Sequence, residues 1–133
     1  MKQKYLLAYM DMLQRFAQTS EATRLKVAAM LVKNDAIISI GINGTPPGWE
    51  SNVCESPEGD TLPWVRHAEI ACFDKLRKYE SYNSTMFITH SPCVNCAKEI
   101  VKALVTKVYY RDVYRCTEGL VYLEKHGIPV EKI

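Results

Sequence analysis

Met86-Phe87-Ile88-Thr89-His90-Ser91-Pro92-Cys93-Val94-Asn95-Cys96 reads as a buried strand running straight into a helix. Asn83-Ser84 breaks the chain before the apolar run Met86 to Thr89, which is short enough for a strand. Ser91-Pro92 then predicts a helix start, with a hydroxyl N-cap and proline at the first helical position, and the helix should run to about Leu104. Cys93 and Cys96 fall three residues apart in that first turn, on one helix face. Amides at the helix start favour thiolate over thiol.

Outward from this stretch the same alternation continues. Residues 4–18 place Leu6, Leu7, Met10, Leu13, Phe16 and Ala17 at one-faced helical spacing. Residues 26–33 and 36–40 read as two strands joined by the turn Asn34-Asp35, a hairpin. A helix is expected over residues 65–79. Beyond the central helix come a strand from Lys107 to Tyr110, a helix from Glu118 to His126 ended by Gly127, and a last strand at residues 128–130. This order predicts an α/β fold, a three-layer α-β-α sandwich on a mixed sheet of about five strands. Residues 1–133 read as one domain, without repeat or linker.

His67-Ala68-Glu69 opens the helix after the hairpin, much as Cys93 and Cys96 open the next. One imidazole and two thiolates make a three-ligand zinc site, which leaves the fourth tetrahedral position open to water. Zinc lowers the pKa of that water to about 7. Glu69, two residues from His67, is then a carboxylate free to carry protons. Two blander readings stay open. Cys-x-x-Cys can be a redox pair or half of a structural zinc knuckle, and Cys54, Cys72, Cys116 or His90 could supply a fourth ligand.

Composition narrows the partners. The net charge of +2 is too small for the dense basic face of a nucleic-acid binder. No apolar stretch approaches the ~20 residues of a membrane span and no cleavable leader is visible, so a cytoplasmic protein is expected. Five cysteines then read as ligands or free thiols rather than disulfides. Trp49 and Trp64 are expected to pack rather than to stack on a base, and His90 and His126 to be surface or capping residues.

Together, His67-x-Glu69 and Pro92-Cys93-x-x-Cys96 resemble the zinc-binding signature of the cytidine and deoxycytidylate deaminase superfamily. The likeness spans about Tyr5 to Val130 and is greatest to the deoxycytidylate branch, including members of phage type. Gly41-Ile42-Asn43-Gly44-Thr45-Pro46 resembles the branch's Gly-Tyr-Asn-Gly-x-Pro loop, and Ser91 stands where tRNA adenosine deaminases carry Glu. Nucleoside-type cytidine deaminases have Cys in place of His67. Three departures are visible: Ala71 where the family often has Asn, Val27-Ala28-Ala29 for Val-Gly-Ala, and Ile42 for Tyr.

The resemblance implies dCMP as substrate, one catalytic Zn2+ held by His67, Cys93 and Cys96, and proton transfer by Glu69. It also implies substrate contacts from Asn43, Gly44, Thr45, Ala68, Ser91 and Tyr114, with Arg115 or Arg111 on the phosphate. A homohexamer, activation by dCTP, inhibition by dTTP with Mg2+, and host cytoplasm for a phage-encoded chain are carried over in the same way. Other substrates of the superfamily, a non-catalytic zinc module and deamination of dCTP remain alternatives.

Overall fold

A computed structural model describes residues 1–133. Its elements follow in the order α1 (Gln3–Ala17), β1 (Ala28–Lys33), β2 (Ala36–Ile42), α2 (Ala68–Asp74), β3 (Thr85–His90), α3 (Val94–Lys102), β4 (Lys107–Asp112), α4 (Glu118–Lys125) and β5 (Val130–Lys132). The sheet runs β2-β1-β3-β4-β5. Strand β1 is antiparallel to both neighbours, while β3, β4 and β5 are parallel. The mixed five-stranded α/β sandwich expected from the sequence is therefore present.

Strand alternation sorts the core into two layers. Ala28, Met30, Val32 and Phe87 face α1 and meet Leu6, Met10, Leu13 and Ala17. Ala29, Leu31, Met86 and Ile88 face the other way, onto Ala68, Cys72, Ala97, Ile100 and Leu123 of α2, α3 and α4. Asn34 and Asp35 both take positive φ (52° and 61°), as a two-residue hairpin requires. The register slips between Leu31 and Val32, leaving Ile38 of β2 as the extra residue of a bulge.

Two helices differ from expectation in their bounds. Helix α2 is confined to Ala68–Asp74. Before it, Arg66 is extended because its amide and carbonyl pair with Gly44 (2.8 and 3.1 Å). After it, the Glu80 carboxylate accepts from the Arg77 amide (2.6 Å) and Tyr79 takes φ 75°, both of which stop helical propagation. Ser91 is not the cap of α3. Its amide donates to the Asp112 carbonyl (2.9 Å), prolonging the β3–β4 ladder by one residue. The cap falls on Cys93, whose sulfur accepts from the Cys96 amide (3.4 Å).

Because β2 and β3 are parallel and separated by the antiparallel β1, their C-terminal ends lie along one edge of the sheet. The N-termini of α2 and α3 gather there, the usual place for a ligand site in an open α/β sheet. Two glycines permit the convergence. A β-carbon at Gly41 would overlap the Cys72 amide and the Ala68 carbonyl, and one at Gly119 would overlap the Pro92 carbonyl. Helix α4 thus buttresses the turn that carries Cys93. Gly119→Ala is expected to cost about 2 kcal/mol as overpacking, seen by calorimetry as a Tm drop of roughly 6–10 °C, with less zinc retained.

Candidate metal centre and active site

The site is built on two helix starts. His67 caps α2 with extended backbone (φ −72°, ψ 154°), and Cys93 caps α3 in the same way (φ −71°, ψ 169°). Cys96 follows one turn into α3. The imidazole Nδ1 lies 3.1 Å from Cys96 Sγ and 3.6 Å from Cys93 Sγ, and all three donor atoms fall within 4.8 Å of one another. Zinc with Zn–S near 2.3 Å and Zn–N near 2.0 Å, at tetrahedral angles, sets its N and S donors about 3.6 Å apart. Donor chemistry and spacing fit the ion, and these three form the sole group of this kind in the chain.

Electrostatics prepare the donors. Cys93 accepts from the Cys96 thiol and from His67, and its own pKa is depressed to about 4. Cys96 moves the opposite way, since its proton is held in that same bond and its sulfur is buried. The hydrogen bond to Cys93 raises His67. Glu69, 4% exposed in the first turn of α2, has its carboxyl pushed up by burial, opposed by its own backbone amide and by His67.

These groups open into a pocket that brings together Asn43, Ala68, Ser91 and Tyr114 of the residues expected to touch substrate. Asn43 Oδ1 accepts from Ser20 Oγ (2.9 Å) and the Val27 amide (2.9 Å), while Nδ2 donates to the Leu25 carbonyl (2.7 Å). Its acceptor is thus fully used, and one Nδ2 hydrogen remains. Ser91 Oγ accepts from the Tyr114 amide (2.7 Å) and ties the β4–α4 loop to the pocket edge. Gly44 and Thr45 are not part of the wall; Gly44 contributes the backbone bridge to Arg66. Arg115 lies outside as well, with its guanidinium over the Tyr114 ring (5.4 Å) and donating to that hydroxyl (3.2 Å). Arg111 is consumed elsewhere, binding Asp11 (2.7 Å), Gln14 (2.8 Å) and the Ile133 carbonyl (3.3 Å). Its suggested role on a phosphate is therefore withdrawn.

The remaining expectation to be tested is family. Residues 3–112 match the sequence model described as the cytidine and deoxycytidylate deaminase zinc-binding region. The chain belongs to this deaminase family. It is 30% identical to the probable deoxycytidylate deaminase of Caenorhabditis elegans, over 90% of this chain and 68% of that protein. To the human deoxycytidylate deaminase it is 29% identical, over 87% and 72% respectively. The crystal structure of dCMP deaminase from the cyanophage S-TIM5, in complex with dCMP and dUMP, superposes with a TM-score of 0.95 at 44% identity, covering 100% of this chain and 99% of that one. The chain is accordingly a zinc-dependent hydrolase.

Several wall residues of this deaminase lie outside the set that the sequence marks for substrate contact. Arg24, Cys54, Glu55 and His90 all line the pocket. His90 is half-buried rather than at the surface, its pKa lowered by burial against the opposing pull of Asp112. Placing it required only β3 to continue through His90, one residue past the apolar run. Arg24 and Glu55 lie in segments without periodicity, which carry no signal of where they meet. Trp49 and Trp64 pack on each other (5.6 Å between rings) outside the wall. Burial pushes the Cys72 thiol up to about 11. With zinc in place, exposed Cys116 is expected to be the first thiol alkylated at pH 8, with Cys72 inert until unfolding. Chelation should add Cys93, as peptide mapping by mass spectrometry would show.

Proposed function

We propose that this deaminase hydrolyses dCMP to dUMP and ammonia, with His67, Cys93 and Cys96 holding the zinc and Glu69 carrying the protons. The observation that supports this reading most is a buried carboxylate beside a three-donor cluster, in a pocket whose wall carries an arginine with no ion-pair partner. The likeness to the cyanophage dCMP deaminase over the whole chain supports the substrate. Zinc, when bound, supplies a nucleophilic water at neutral pH.

The chain's own residues account for the rest. Glu69, kept from solvent beside the donors, takes the proton of the attacking water as a carboxylate and delivers it to N3 of the pyrimidine. It then moves the remaining proton of that water, now on the C4 hydroxyl, to the amino group; the C4–N bond breaks, ammonia leaves and the C4 carbonyl stays on the base. Ala68 and Ser91 line the pocket on the two sides of the donor cluster, where main-chain groups can orient the base. The spare Nδ2 hydrogen of Asn43 is available to a sugar or base acceptor.

Arg24 is the residue we assign to the 5′-phosphate. Its guanidinium donates only to Thr61 Oγ1 (3.3 Å), whereas Arg66, the other arginine of the wall, is paired with Asp74. An unneutralised guanidinium matches a phosphate dianion. A role in supplying dTTP precursors, control by dCTP and by dTTP with Mg2+, and a hexamer belong to this reading through family resemblance.

Glu69→Gln is expected to keep zinc and lose turnover by a factor of about 10³ or more, while Cys93→Ala loses the metal. Zinc content and ammonia release on the same samples, over dCMP, CMP, dCTP and deoxycytidine, check both. Near-normal turnover in Glu69→Gln removes its role. Arg24→Ala is expected to raise the dCMP KM by about 10–100-fold, as loss of a charge-assisted contact, and to act mainly on phosphorylated ligands.

A further inference from the structure

The stretch between α1 and β1, residues 18–27, has no regular structure, yet it presents Arg24 to the pocket. Something other than a helix or ladder must hold it. One end is fixed by Asn43, through Leu25 and Val27. The other is gripped by a single carboxylate. Glu55 accepts from the Thr23 amide (3.1 Å to Oε2), the Thr23 hydroxyl (3.0 Å) and the Arg24 amide (3.2 Å).

Glu55 is itself part of a small hairpin. It bridges Thr61 across a turn closed by Ser56 amide to Asp60 carbonyl (2.8 Å) and Leu62 amide to Cys54 carbonyl (2.9 Å). The hairpin contributes Cys54, Glu55 and Thr61 to the wall. Thr61 Oγ1 then accepts from the Arg24 guanidinium. Arg24 is therefore held twice by the same hairpin, at its backbone through Glu55 and at its side-chain tip through Thr61.

We propose that Glu55 is a positioning residue for nucleotide recognition, fixing the Thr23–Arg24 backbone so that the guanidinium stands ready for a phosphate. This rests on the assignment of Arg24 to the phosphate. Without the clamp, the segment must be ordered at each binding event, and immobilising one long side chain and its backbone weakens binding by up to about tenfold. The loss falls on ligands that carry a phosphate and spares the chemistry at zinc.

Inhibition constants for dUMP and deoxyuridine, and KM for dCMP, measured on the zinc-loaded enzyme test this. Glu55→Gln keeps one carbonyl acceptor but gives up the second oxygen and the charge. It is expected to raise the dCMP KM and the dUMP inhibition constant about tenfold, to change the deoxyuridine constant by no more than about twofold, and to shift kcat far less than KM. In the Arg24→Ala background the same change should add almost nothing, since the residue it positions is gone. If Glu55→Gln folds poorly, Thr23→Val removes one of the contacts and should show the same selectivity at smaller amplitude. Equal weakening of dUMP and deoxyuridine, or effects of Glu55→Gln and Arg24→Ala that multiply independently, would overturn the positioning role while leaving Arg24 in place. An Arg24→Ala enzyme with an unchanged dUMP-to-deoxyuridine ratio would remove the phosphate anchor and the proposal with it. Absence of any dCMP turnover in the unmutated, zinc-loaded protein would instead strike the proposed reaction.

Discussion

Everything at the site depends on two helix N-termini being brought to one point at the sheet edge. Three donors from two helix starts must stand within 4.8 Å of one another. Two thiolates so close repel, and a buried carboxylate nearby makes the repulsion worse. In the protein alone the cluster relieves this by sharing protons: Cys96 donates to Cys93, and His67 is raised beside it. A divalent cation does the same more completely, because it meets both sulfurs at once. Crowding of three donors and a carboxylate is electrostatically awkward, and binding of a divalent metal offsets it.

That arrangement explains why small residues recur around it. Ala68, Ala71 and Ala97 are buried between the helices and the sheet, and Gly41 and Gly119 admit backbone where any side chain would collide. Larger residues at these places would bury more apolar area, yet they would push the caps apart. Bulk is placed farther from the caps, in Met86, Ile88 and Ile100 of the same layer and in Phe87 on the α1 side of the sheet. Burying Glu69 is a cost of the same kind, since desolvation disfavours its charge. A residue chosen for stability would not be a carboxylate there.

Much of this was legible before any coordinates. The strand-to-helix step at Met86–Cys96, the hairpin at Asn34-Asp35 and the helical stripe of residues 4–18 follow from short-range periodicity and turn chemistry, and the metal donors follow from spacing within single helix turns. The misplaced starts of α2 and α3 share one cause. Val65-Arg66 was drawn out of helix α2 by a bridge to Gly44, and Ser91 was kept in the ladder by Asp112. Both partners are more than twenty residues distant in sequence, and local patterns do not reveal them. For the same reason Arg111 was a reasonable candidate on sequence and a wrong one in space, because Asp11 and Gln14 reach it from a helix at the other end of the chain.

On the proposed roles, recognition and chemistry sit on different kinds of structure. His67, Glu69, Cys93 and Cys96 belong to helix starts packed on the sheet, where displacement of a few tenths of an ångström would disturb the core. Arg24, Asn43, Glu55 and Tyr114 belong to connections joined by hydrogen bonds, such as Ser20 to Asn43 and Ser91 to Tyr114, rather than by apolar packing. Bonds of that kind tie loop to loop at little cost in buried area, and each can be altered without disturbing the metal. The consequence is a division of labour in mutational space. Substitutions in the connections should move substrate preference while zinc and fold persist, and substitutions at the helix starts should lose zinc, turnover and stability together.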